Sequence, residues 1–146
     1  MNMASMQSAL KQYKQVGVQS GIESASPHRI IQMLMNGALE KISMAKGHIE
    51  RNNVAAKGSA IGGAMSIIDG LRASLDKSVG GELVENLDAL YDYMGMRLLE
   101  ANLHNDVSVL DEVSGLLLEI KQGWDAIAQE VSQLEAEQTK TVSGAV

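Results

Sequence analysis

Three histidines and a scattering of carboxylates are the side chains of this chain best suited to chemistry. A carboxylate-bridged metal pair in a helical protein needs Glu and His three residues apart on inward faces, twice over. The nearest pattern is Glu100 with His104, four apart and without a second copy. His28, His48 and His104 all fall at helix ends, in flanking turns or beside charged neighbours, where a histidine ordinarily is solvated or caps a helix. His48, between Lys46 and Arg51, has the neighbours of a phosphoryl-accepting site. It falls in the last turn of its helical pattern, however, whereas a phosphotransfer bundle exposes its histidine in mid-helix. The run Lys57-Gly58-Ser59-Ala60-Ile61-Gly62-Gly63 has its lysine before the glycines, the wrong order for a phosphate loop, and no strand precedes it. With no cysteine there is no disulfide, no thiolate metal site and no cysteine nucleophile. No Ser–His–Asp arrangement follows from spacing. The reading is of a protein that is not an enzyme and holds no cofactor and no metal, with a His48 phosphotransfer domain kept as an alternative.

What would position any site is an all-helical frame. The 146 residues fit one domain. Hydrophobic residues at 45% and charged residues at 21% suit a packed globular chain. One Pro, no Phe, one Trp and three Tyr suit a sandwich or barrel poorly, since those need turn breakers and aromatic strand residues. The formal net charge of −6 offers no basic face to a nucleic acid or an anionic membrane. The longest uncharged stretch of the helical region, Gly58 to Ile68, is well short of the roughly 18–20 residues a membrane span needs. The N-terminus carries no readable secretory signal, so the expected location is cytoplasmic.

Four long patterns of apolar residues at steps of three and four predict four helices. The first opens on Ser26, a good N-cap, with Pro27 at the first helical position, and carries Ile31, Leu34, Ala38, Ile42, Ala45 and Ile49 before breaking at Asn52-Asn53. The second covers about 54–78 with Ile61, Ala64, Ile68, Leu71 and Leu75 in step, and Gly80-Gly81 closes it. The third covers about 82–103 with Leu83, Leu87, Leu90, Met94, Leu98 and Ala101; Asn105-Asp106 marks the turn. The fourth covers about 107–135, from Leu110 through Val113, Leu117, Ile120, Trp124, Ile127 and Val131 to Leu134, an unbroken seam. Short links force sequence neighbours antiparallel, so the expected fold is an all-α, up-down-up-down four-helix bundle over 26–135. Residues 1–25 form an N-terminal capping segment, with a short helix expected at 4–16. Residues 136–146, which lose the apolar period, are expected to be a flexible tail.

Two features exceed what a bundle needs. Nine glycines lie inside the helical patterns, among them Gly58, Gly62, Gly63 and Gly95, each disfavoured by about 0.8–1 kcal/mol against Ala. They serve either close helix–helix packing or shallow grooves that accept a partner helix. The helices also carry more apolar positions than the three in seven an inward face requires. The surplus is Ile30, Met33, Met35 and Leu39 in the first helix, Tyr91, Tyr93, Met96 and Leu99 in the third, and Leu116 and Leu118 in the fourth. Large uncovered apolar patches mark interaction sites. The cover is either the N-terminal segment, bearing Leu10 and Tyr13, or another protein; a homodimeric structural bundle would hide the same stripes.

The same residues carry a family resemblance. Tyr13 and the following KQVGVQSGIESASPHRIIQML, then ALEKI, SIIDGLRASLD, GGELVENLDALYDYMGMRLLEANLHND and LDEVSGLLLEIKQGW, resemble the flagellin export chaperones of the FliS family over about residues 10 to 127. Where relatives often carry an aromatic after the Gln-Met-Leu motif, this chain has Met35-Asn36. The resemblance implies a cytoplasmic antiparallel helical bundle without catalysis or cofactor. It implies binding of the C-terminal segment of flagellin, which is disordered when free and helical when bound. It further implies that the chaperone prevents early polymerisation and delivers flagellin to the type III export gate, with regulatory proteins as further partners. An N-terminal segment that caps part of the apolar surface belongs to the same picture. For that client the expected contacts are Tyr13, Ile30, Leu34 and Met35, with Met94 and Leu98 from the third helix. Tyr91, Tyr93 and Asn102 are expected to offer polar tips to the client backbone. Trp124, on the seam, is expected in the core with its indole N–H reaching a rim partner.

Overall fold

Helix boundaries follow from caps that act locally. The computed structural model describes residues 25–144, with side chains at 25–127 and 137; the expected helix at 4–16, Tyr13, Val131 and Leu134 lie outside the described residues or side chains. The Ser26 side chain accepts from the Arg29 backbone N–H at 3.2 Å and starts α1 (Pro27–Glu50). Asn52 takes a left-handed conformation, φ 56°, that ends α1, and the Asn53 side chain accepts from the Ala56 N–H to open α2 (Val54–Ala73). Asn105, φ 53°, ends α3 (Glu82–His104), and Asp106 then accepts from the N–H groups of Ser108 and Val109 at the start of α4 (Val107–Gly144).

Two boundaries differ from the periodic pattern. α2 stops at Ala73 and not near 78, although Leu75 keeps step with the apolar stripe. There the Ser74 hydroxyl donates to the Leu71 carbonyl at 2.7 Å and the Asp76 carboxylate accepts from the Ser78 N–H, so local polar groups turn the chain before Gly80 and Gly81, both at positive φ. α4, in contrast, stays helical to Gly144, past the boundary expected at 135. Ala, Glu, Gln and Lys in EAEQTK are strong helix formers, and a lost apolar period says only that no buried face is built there.

The helices close a ring in which α1 packs on α2, α2 on α3, α3 on α4 and α4 on α1, and among the described residues no diagonal pair of helices brings its backbones together. This is the expected antiparallel four-helix bundle. Its centre holds Leu34, Ile42, Ile61, Ile68, Leu71, Met94, Leu98, Leu110, Val113 and Leu117, all fully buried. Polar ties pin the corners. Lys46 pairs with Asp111 at 2.5 Å, and Gln32 donates to Asp125, which also accepts from Lys121 at 2.6 Å. Buried Lys57 donates to the Asn102 carbonyl at 2.9 Å and to the Asn105 side chain at 2.6 Å, holding the start of α2 to the end of α3. Leu83, expected in the stripe of the third helix, is instead exposed, since it lies in the first turn of α3 beyond the end of α2.

Four hydrogen-bonded carboxylates set a pH dependence. Hydrogen bonds from Arg72 to Asp88, from Ser108 to Asp106, from Arg97 to Glu112 and from Lys121 to Asp125 hold each of the four carboxyls below its usual pKa. A carboxyl depressed in the folded state adds stability above its unfolded pKa, about 4, and that stability is lost as pH falls through the folded value. The urea midpoint is therefore expected to hold steady from neutral pH to about pH 5 and to fall below about pH 4. A midpoint unchanged down to pH 3 would contradict the assignment.

Candidate functional site

The apolar surplus is divided unequally among the helices. On α1, Ile30, Met33 and Met35 are buried and Leu39 is half-buried. α1 packs on both α2 and α4 and therefore needs a broad apolar face, so its extra residues are structural. On α3 Tyr91 is buried, but the aliphatic surplus stays outside: Met96 is 64% exposed and Leu99 49%, and Leu103, 69% exposed, continues their line. These three follow one another at steps of three and four, a stripe along one face of the helix. Beside it, between α2 and α3, runs a groove of about 520 Å³. Met65, Met96 and Leu99 supply its apolar walls, and Gly62 and Gly95 face it from the two helices. From Gly62 to Arg72 the groove follows α2 for about 15 Å, some three turns.

At five of the nine glycines close helix packing is not the reason for the missing side chain. A Cβ placed on Gly62 or Gly95 would meet nothing within 4 Å; the same holds at Gly58, Gly115 and Gly123. None of these five glycines is required for a neighbouring helix to approach. At Gly62 and Gly95 the missing side chains instead widen the trough.

One end of the groove is ionic. Arg72 donates to Asp88 at 2.8 Å and to Asp92 at 2.9 Å, and Lys77 sits 3.4 Å from Asp88. Asp69 lines the groove one turn before Arg72. On the outer side of α3, Arg97 donates to Glu112 at 2.9 Å and to Glu100 at 2.6 Å.

The expected contact residues divide along the same line. Ile30, Leu34, Met35, Met94 and Leu98 are all buried, the last four at 1% exposure or less. They share one core, and none of the five lies in the exposed stripe. Tyr93 is exposed, but its hydroxyl donates to Glu112 at 2.8 Å, which ties α3 to α4 and raises the phenol pKa. Asn102 is half-buried and offers its carbonyl to Lys57. Tyr91 lines the groove while only 4% exposed, and its hydroxyl makes no hydrogen bond among the described residues. Burial pushes its pKa up to about 12.

Met65 and Leu103 were not anticipated, and Met96 and Leu99 were expected only as part of the apolar surplus. Their signal lies in combining two features: exposed-phase apolar residues on α3, and glycines in the facing phase of α2.

The histidines have structural neighbours. His28 stacks on Trp124 with ring centroids 4.8 Å apart, and the Trp124 indole N–H donates to the His28 carbonyl at 2.9 Å, the rim partner anticipated for it. His48 is half-buried in the last turn of α1 with Nδ1 3.2 Å from the Arg51 guanidinium. Among the described residues no group of His, Asp and Glu is arranged to hold a metal ion, and no helix is long and apolar enough to cross a membrane.

Comparison with known proteins places this architecture. The family model described as "Flagellar protein FliS" matches residues 9–131. The flagellar secretion chaperone FliSB of Pseudomonas aeruginosa is 55% identical over 120 residues, covering 82% of this chain and 95% of the relative. The flagellar secretion chaperone FliS of Salmonella typhimurium is 47% identical over 130 residues, covering 88% and 96%. That of Vibrio cholerae is 42% identical over 131 residues, covering 90% and 96%. A bundle with an unfilled apolar groove, matched over most of its length by these proteins, belongs to the FliS family of flagellar secretion chaperones.

Proposed function

We propose that this chain is a cytoplasmic export chaperone that binds the C-terminal segment of flagellin, keeps it from polymerising early and delivers it to the flagellar type III export apparatus. The observation that carries this reading is the α2–α3 groove, where glycine-widened space lies beside an exposed Met96–Leu99–Leu103 stripe. The names of the relatives, secretion chaperones of the flagellum, support the flagellar client. The groove has the length of about three helical turns and accepts an amphipathic helix laid along it. A segment that folds on binding spends part of its interaction energy on ordering, so the interface extends beyond one groove. The export gate and regulatory proteins are further partners in this reading. The site works by burial and release, with no covalent step and no cofactor.

Calorimetry with the purified C-terminal segment of flagellin tests it. The expected result is saturable heat together with a gain in helicity on mixing. Leu99→Asp and Leu103→Asp, both at exposed positions, are expected to leave thermal unfolding nearly unchanged and to weaken binding by at least about tenfold. Absence of heat and of added helicity with the native protein would overturn the reading. A dimer that persists on dilution and excludes the segment would point to the homodimeric alternative.

A further inference from the structure

Nine methionines are spread along the chain, and six of them have described side chains. The bundle sorts these six by access. Met33, Met35 and Met94 are buried in the shared core. Met44 is exposed on α1 and lies outside the groove lining. The other two form the groove walls: Met65, half-buried, on α2 and Met96, 64% exposed, on α3. Gly62 and Gly95, on the same lining, bring no side chain to shelter them. A dissolved oxidant therefore reaches the Met96 sulfur without any opening of the fold.

Methionine is the apolar side chain whose polarity a mild oxidant inverts. A peroxide gives one oxygen atom to the thioether sulfur. The O–O bond breaks, an S–O bond forms, the sulfur gives up two electrons, and hydrogen peroxide leaves as water. The product is a sulfoxide, a polar group that accepts hydrogen bonds. Reduction returns it to the thioether: two thiols become a disulfide and the oxygen departs as water. Leu99, on the same wall, has no sulfur to oxidise, so only part of the groove's apolar length is open to this chemistry. An apolar helix pressed on an oxidised wall would bury the new oxygen without a partner, which is unfavourable.

We propose that Met96, with Met65 on the facing helix, is a reversible oxidation site. A peroxide converts Met96 first, the sulfoxide closes the groove to an apolar helix, and thiol-dependent reduction reopens it. The inference rests on the reading of the groove as the client site. It assigns that site a redox control that spares the core, because the buried methionines are out of reach of the oxidant.

The full-length protein is treated with dilute hydrogen peroxide, and the peroxide is removed with catalase. Peptide mass spectrometry then locates each added oxygen, and the flagellin C-terminal segment is titrated by calorimetry. Oxidation is expected at Met96 ahead of Met65, with Met33, Met35 and Met94 unchanged and the urea midpoint steady. Affinity is expected to fall by at least about tenfold and to return after treatment with methionine sulfoxide reductases for both epimers. Met44→Leu is expected to show the same loss on oxidation. Met65→Leu/Met96→Leu, whatever its own affinity, is expected to bind equally well before and after peroxide, although it keeps Met1, Met3, Met6 and Met44. Unchanged affinity of the native protein with Met96 fully oxidised would overturn the inference and leave the groove standing. So would a loss of equal size in the double variant, a fall in urea midpoint accompanying the loss, or oxidation of Met96 no faster than that of Met94. Absence of binding before any peroxide is added would remove the client reading itself.

Discussion

Leu98→Ala lowers the free energy of unfolding by about 2–5 kcal/mol, while Leu99→Ala, one residue on, changes it by no more than about 0.5 kcal/mol and weakens the client instead. The two leucines are chemically identical and adjacent. About 100° of helix rotation separates them, which puts Leu98 among Met94, Leu110 and Leu117 in the fully buried centre and leaves Leu99 half in solvent on the wall of the groove. Removing Leu98 forfeits the transfer energy of its side chain and leaves a cavity that a rigid ring of four helices closes only in part. A typical domain is stable by 5–15 kcal/mol, so this one truncation takes a large share of the total. Urea denaturation of the two variants reads the difference as a fall in midpoint at constant slope for Leu98→Ala alone. A loss of client binding in Leu98→Ala without a fall in midpoint would place Leu98 at the interface and contradict its assignment to the core.

The same pair shows how far the sequence could be read. Helix starts and stops were legible at Ser26-Pro27, Asn52-Asn53 and Asn105-Asp106, because a cap is a contact between residues two to four apart. The end of α2 was not legible. Leu75 continues the apolar period, yet the Ser74 hydroxyl and the Asp76 carboxylate turn the chain there, and periodicity carries no information on such local competition. The apolar surplus was legible as a quantity, not as a place. Whether Met35 or Met96 faces solvent depends on which two helices flank the one that bears it, which is a property of the ring. Met35 on α1 is buried; Met96 on α3 looks onto a groove that the facing glycine of α2 leaves open. Leu34, Met94 and Leu98, expected as contacts, therefore lie in the core, while Met65, on the groove, and exposed Leu103 drew no such expectation. The family came from the ordered match of motifs such as ENLDALYDYMGMRLLEAN, which composition and period could not supply.

Gly62→Ala and Gly95→Ala are expected to move stability and binding in opposite directions. Glycine is disfavoured within a helix by about 0.8–1 kcal/mol against alanine, through greater backbone freedom in the unfolded chain. That gain is realised only where the added methyl has room, and at both positions a Cβ meets nothing within 4 Å. The double variant is therefore expected to be more stable by up to about 2 kcal/mol, read as a raised urea midpoint. A bundle selected for stability alone would carry alanine here, as it does at Ala64 and Ala101 nearby. In the proposed function, what glycine provides is room for a foreign backbone to approach both helices at once. Two methyls raised along the groove would lift a bound helix off the Met65 and Leu99 walls and forfeit dispersion contacts along its length. The flagellin segment is expected to bind the double variant at least about tenfold more weakly. Gly115→Ala and Gly123→Ala, equally unobstructed but on α4 and away from the groove, are the controls: each is expected to stabilise the fold and leave affinity unchanged. Equal affinity for native and Gly62→Ala/Gly95→Ala proteins, alongside the raised midpoint, would mean that no helix descends into the groove.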